Sequence, residues 1–164
     1  GAPGGIAFGL RQVFGPNVHT FFVEPTQAPC MVLGMATGLQ NEISVQDIGL
    51  TGLTHADGLA VGRASGFVGR VMVPILSGEF TLRDGKLYDY MRDLLETEHI
   101  FIEPSACAAF QGPVMLNRFP ETVTYLKDQG FAGKMAQATH ILWATGGNLV
   151  PEKIREDYVN THLE

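Results

Sequence analysis

Five places in the sequence set polar or glycine-rich backbone next to an apolar run, which is where open α/β sheets do their chemistry. They are Gly1-Ala2-Pro3-Gly4-Gly5 ahead of an apolar helix pattern, Glu24-Pro25-Thr26 after VHTFFVE, and Glu103-Pro104-Ser105 after IFI. Thr145-Gly146-Gly147-Asn148 follows HILWA, and Ala56-Asp57-Gly58-Leu59-Ala60-Val61-Gly62 lies in a loop before a helix. The glycine-rich start suits an anion, because bare backbone N–H groups and a helix N-terminus admit and favour a phosphate. It lacks the lysine and hydroxyl of a P-loop and does not fit GxGxxG, so on its own it reads equally as a tight turn. Thr145 divides the same way, between a hydroxyl offered to a ligand and a satisfied strand-to-loop turn. Glu24 and Glu103 each stand before a proline at the end of an apolar run, where a single carboxylate is more often a solvated strand end than an acid or base.

The elements that must position these residues alternate along the chain. Ile6, Phe8, Leu10, Val13 and Phe14 predict a buried helix stopped by Gly15-Pro16-Asn17, and Val18–Glu24 predicts a strand. Pro29–Gly38 reads as a helix closing on glycine, and Glu42–Ile48 as a strand or extended connection. Phe67, Val68, Val71, Met72, Ile75 and Leu76 mark one stripe of a helix over 62–76, and Phe80–Leu82 a short extended piece. Asp84 is placed to cap a helix whose Leu87, Tyr90, Met91, Leu94 and Leu95 share a face. Ile100–Glu103 reads as a strand, Ser105 as the cap of a small-residue helix, Glu121–Asp128 as an amphipathic helix and His140–Thr145 as a buried strand. Pro151 then opens a last helix. The fold class is α/β, a mainly parallel sheet with helices on both faces, and residues 1–164 read as a single globular unit with no internal repeat or linker.

Composition bounds the partners. A formal charge of -6, with 11 Lys and Arg scattered along 164 residues, offers no basic stripe for nucleic acid or an anionic membrane. Cys30 and Cys107 lie far apart and the five histidines form no HxxxH or HxH pair, so neither a disulfide framework nor a transition-metal site is legible, and a reducing cytoplasm is the expected setting. Glycine supplies 20 of 164 residues, roughly 12% against about 7% on average, without any period. The chain opens on glycine with neither an initiator methionine nor a signal peptide, and its N-terminus reads as cut.

Longer stretches carry a resemblance. FFVEPTQAPCM, SVQDIGLTGLTHADGLAVGRASGFVGR, EPSACA and HILWATGGNLVPE resemble the C-terminal part of the bacterial D-serine dehydratases (D-serine ammonia-lyases), pyridoxal-5′-phosphate enzymes of fold type II, the tryptophan synthase β-like group. ADGLAVG and the Glu-Pro-Ser and Glu-Pro-Thr turns also occur in related serine and threonine dehydratases; the long central run and WATGG point to the D-serine branch.

That resemblance implies roles by position. Gly1 and Ala2 would be the end of a phosphate loop, Ala2 standing where glycine is common, with Gly4 and Gly5 opening the next helix. Gly58 and Leu59 would pass the cofactor ring, and Thr145 would hydrogen-bond the pyridine nitrogen, a neutral partner that suits β-elimination over transamination. Glu24 and the Ala28 carbonyl match a cation site of related enzymes; Cys30 stands where they carry Asp and would offer only its backbone carbonyl, which favours a monovalent ion such as potassium over magnesium. The lysine that bears the cofactor and the loop that holds the substrate carboxylate would lie upstream of Gly1, so the chain would be the C-terminal portion of a large cofactor-binding domain, inactive alone, with D-serine as substrate and the N-terminal part of the same enzyme as its partner. The rivals are a serine or threonine dehydratase or a racemase on the same scaffold and, in another class, a non-catalytic ligand-binding domain.

Overall fold

A computed structural model describes every residue of the chain except Asn117. Two strands, β1 (Thr20–Pro25) and β2 (Leu76–Leu82), pair in parallel with Val23 opposite Phe80 and Glu24 opposite Thr81. Parallel pairing requires a long crossover, and here it contains α2 (Cys30–Thr37) and α3 (Gly66–Met72). Ahead of β1 runs α1 (Ala2–Phe14); after β2 come α4 (Asp84–Glu98), α5 (Gln111–Leu116), α6 (Pro120–Asp128) and α7 (Glu152–Val159). The class is α/β, as expected.

The main core gathers where β2, α4 and a 3-10 segment at Pro104–Phe110 meet: Leu82, Leu87, Tyr88, Met91, Cys107 and Ala108 are all buried there. α4 forms because Leu87, Tyr88 and Met91 lie three and four apart and face inward, while outside Asp89 pairs with both Lys86 and Arg92 at 2.8 Å. Removing a fully buried side chain such as Leu87 or Met91 costs about 2–5 kcal/mol, so this is the rigid part from which the site is hung.

Several expectations fail, the two missing strands for one shared reason. Ile100–Glu103 and His140–Thr145 form no strand: both run extended without a ladder, and Ile141 and Trp143 are 63% and 56% exposed. An apolar run becomes a strand only where a neighbour takes its N–H and C=O groups, and among the described residues none does so here. α1 is a helix as expected but not a buried one, since Val13 is 75% and Phe14 53% exposed. Glu42–Ile48 is neither strand nor extended piece. It contains two 3-10 turns, Gln40–Glu42 and Val45–Ile48, the second fixed by a capping box in which Ser44 N–H donates to Asp47 at 2.8 Å. The helix expected over 62–76 is confined to Gly66–Met72, capped by Ser65 and followed by Pro74, and its last apolar residues pass into β2. Ser105 caps nothing; the segment after Glu103 winds as 3-10 before α5.

Candidate active site

α1 begins at Gly1 with no capping side chain, Pro3 in its first turn and no acid there. Among the described residues no side chain takes its leading N–H groups, and a methyl built on Gly1 or Gly5 would meet nothing within 4 Å. Gly4 also packs closely, because a methyl there would fall 2.7 Å from a Val68 methyl carbon: its missing side chain lets α1 lie close on α3.

The loop bearing Gly58 and Leu59 is tied down from behind. At the start of α4, Asp84 accepts the Thr54 hydroxyl at 2.6 Å and the His55 N–H at 2.7 Å; it serves this loop rather than capping its own helix. The His55 ring meets the Tyr88 hydroxyl at 2.8 Å, Ala56 is fully buried, and the Leu59 N–H returns to the Ala56 carbonyl. Gly58 is exposed on the far side, its nearest neighbour being Ser105 at 3.9 Å from a built methyl, so nothing in this chain fills the space in front of it.

Ser105 continues from Glu103, and Glu103 abuts the turn after Thr145. Gly146 and Gly147 have φ of 98° and 128°, and a methyl on them would strike the Glu103 carboxylate at 2.6 Å and the Ile102 backbone at 2.7 Å. Both positions demand glycine, by conformation and by space. A cleft of about 580 Å³ opens between Ile102–Glu103, the Gly146–Pro151 turn and Tyr158. Thr145 is exposed, and among the described residues its hydroxyl has no hydrogen-bond partner. Two residues earlier Trp143 lines an apolar hollow with Ile6, Leu10 and Val13 of α1. The structure thus brings the Gly58 loop and the Thr145 turn together on Glu103–Ser105, and runs the Thr145 segment on past α1.

Glu24, Ala28 and Cys30 form a cluster of their own at the carboxyl end of β1. The Glu24 carboxylate accepts the Met31 N–H at 3.0 Å, the Val32 N–H at 2.9 Å and the Cys30 thiol at 3.4 Å, and the Ala28 carbonyl accepts the Cys30 N–H. Burial raises Glu24 above the ordinary carboxylate range against the pull of those N–H donors, and it pushes the Cys30 thiol up to about 12, helped by the Glu24 charge. A cation would find here one carboxylate already committed to helix N–H groups, one carbonyl and a protonated thiol. Among the described residues no group of three or more His, Cys, Asp or Glu is arranged for a metal.

Known proteins fit this arrangement. The family model described as pyridoxal-phosphate dependent enzyme matches residues 1–126. The chain belongs to that family. Among its curated relatives, a probable D-serine dehydratase of Fusobacterium nucleatum is 54% identical over all 164 residues, and one of Bacillus cereus (strain G9842) is 50% identical over the same span. The chain covers 37% and 36% of those two proteins, a little over a third of their length. In fold, it resembles a fungal L-serine ammonia-lyase from Rhizomucor miehei (TM-score 0.65, 16% identity, 97% of this chain and 46% of that one) and maize serine racemase (TM-score 0.60, 18% identity, 94% and 42%).

The family's cofactor carries an anionic phosphate and a flat ring with a basic nitrogen. The residues present fit both ends: glycine-rich backbone at the α1 N-terminus with no acid in its first turn, an exposed Gly58 with Ser105 beside it, and a Thr145 hydroxyl with no partner among the described residues. Lys86, Lys127, Lys134 and Lys153 are all exposed, and Lys86 is held by Asp89. Sequence reasoning missed Glu103 and Ser105 as the bridge between the two turns, and Asp84 as the anchor of one of them. A carboxylate before proline has no mark that distinguishes a bridge from a solvated end.

Proposed function

We propose that the chain is the C-terminal part of the cofactor-binding domain of a D-serine ammonia-lyase, which releases pyruvate and ammonia from D-serine. The observation that carries this reading is identity of 54% across the whole chain to a relative named for that substrate, with the Thr145 turn and the Gly58 loop included in the match. Bound pyridoxal phosphate supplies the electron sink that β-elimination needs. In this reading the α1 N-terminus takes the phosphate through its backbone N–H groups. Gly58 and Leu59 let the ring lie against the loop. The Thr145 hydroxyl donates to or accepts from the ring nitrogen without fixing a proton there, as a carboxylate would. A potassium ion on Glu24 and the Ala28 carbonyl belongs to the same reading; it would share the carboxylate with the α2 N–H groups, and no step is routed through it. The two buried free cysteines support a reducing, cytoplasmic setting, and no helix among the described residues is long and apolar enough to cross a membrane.

The test is an assay of the full-length gene product for pyruvate from D-serine, L-serine and L-threonine, with racemised serine measured alongside. Pyruvate from D-serine above the others supports the reading. Turnover of the L-enantiomers alone assigns the related dehydratases, interconversion without pyruvate a racemase, and cofactor-free inertness a non-catalytic domain.

A further inference from the structure

The turn that carries Thr145 has little backbone support of its own. Among the described residues, positions 139–149 take part in one backbone hydrogen bond, from the Val150 N–H to the Gly147 carbonyl. What closes the turn is a side chain on α7. Arg155 Nε donates to the Val150 carbonyl at 2.9 Å, and its Nη2 donates to the carbonyls of Asn148 at 3.0 Å and Gly147 at 3.2 Å. Its guanidinium carbon lies 4.7 Å from the centroid of the Phe101 ring, on the strand-like piece against which Gly147 is pressed. Among the described residues Arg155 pairs with no carboxylate, so its donors are spent on the turn. α7 is itself fixed to the rigid part of the molecule: Arg92 on α4 donates to the carbonyls of Val159 at 3.4 Å and, just past the helix, Thr161 at 2.6 Å, and Tyr88 packs edge-on to Tyr158.

The geometry points to Arg155 as a positioning residue that sets the Thr145 hydroxyl against the cofactor ring nitrogen, an inference that rests on the reading of Thr145 given above. A planar fork of donors is needed, because several carbonyls must be held at once while the flat face stacks on an aromatic ring. An ammonium has three donors but no flat face, so it cannot hold the carbonyls and stack on the ring at once. Arg155 touches neither ring nor substrate and acts through the backbone of 147–150.

The experiment uses the full-length gene product with Arg155→Ala, Arg155→Lys, Thr145→Ala and the Arg155→Ala/Thr145→Ala pair. Circular dichroism is the folding control, and Arg155→Lys carries every arm if the alanine variant fails to fold. Without cofactor, hydrogen exchange at the Val150 amide should quicken in Arg155→Ala. With pyridoxal phosphate, its affinity should fall by roughly ten-fold or more, the scale of a charge-assisted hydrogen bond to the turn, and the absorption band of the bound cofactor should shift as it does in Thr145→Ala. Lysine should restore little, and Arg155→Ala should add little in the Thr145→Ala background. Unchanged exchange, or an equal loss of affinity in both backgrounds, overturns the inference. Wild-type protein that binds no cofactor overturns the functional reading instead, and the exchange measurement still decides the tether.

Discussion

The N-termini of α1 and α2 pose the same physical problem and receive opposite solutions. Each exposes N–H groups and the positive end of a helix dipole. At α2 the chain supplies its own anion: buried Glu24 reaches from the end of β1 and takes the Met31 and Val32 N–H groups. At α1 there is no side-chain cap, no acid in the first turn and open space over Gly1 and Gly5. One helix end is spent on holding the fold together, by tying β1 to the crossover. At the other, the described residues supply no such carboxylate. The contrast also explains why Glu24 makes a poor cation ligand as placed, since its acceptor sites already serve α2.

The largest effect expected from breaking this contrast is at α2. Glu24→Gln replaces an all-acceptor group by one whose NH2 opposes the helix N–H donors, so at least one buried donor loses its partner. Denaturant unfolding of the full-length protein should show a loss of about 2–4 kcal/mol, as for buried charge-assisted hydrogen bonds. A loss within error would mean that α2 does not depend on the carboxylate.

Next in size is the converse change at α1. Ala2→Asp supplies the missing anion, which should leave stability unchanged or slightly raised while it competes with a bound phosphate. Pyridoxal phosphate affinity should fall about ten-fold, near 1.4 kcal/mol, and Ala2→Asn should fall much less. Equal losses for Asp and Asn would point to bulk rather than charge, and would remove the phosphate from this helix end.

What could be read in advance follows the same division between local and tertiary causes. α4 is legible because its apolar residues recur at helical spacing, and α2 because Gly38 ends it with φ of 74°. The Ser44-x-x-Asp47 spacing was also available as a capping signal and would have replaced the extended reading of 42–48. HILWAT could not be judged from its own residues, because an apolar run is a strand only beside a partner strand. Thr145 and Gly58 stood out through resemblance rather than spacing, and the close packing of Gly4 on Val68 of α3 carried no signal of its own. Arg155 carried no signal at all: its partners are carbonyl groups, which every residue has.

The smallest effect concerns a carboxylate with no helix end to serve. Glu79 on β2 has a buried Oε1 with no hydrogen-bond partner among the described residues, and burial, with the Glu24 charge nearby, raises it from an ordinary 4.5 to about 7. Glu24 is buried too but has N–H donors pulling the other way. Because the folded pKa of Glu79 lies above the unfolded one, the folded state holds the proton more tightly. Its favourable contribution is complete below about pH 4.5 and is lost as pH rises through 7. Glu79→Gln imitates the neutral acid and removes the repulsion. Wild type and variant should therefore unfold alike near pH 4, and at pH 8 the variant should be more stable by about 1 kcal/mol, a figure discounted for the part of the side chain that water still reaches. A pH-independent difference would mean that Glu79 keeps its charge without helix N–H donors. The contrast between a served and an unserved carboxylate would then not be what sets their titration.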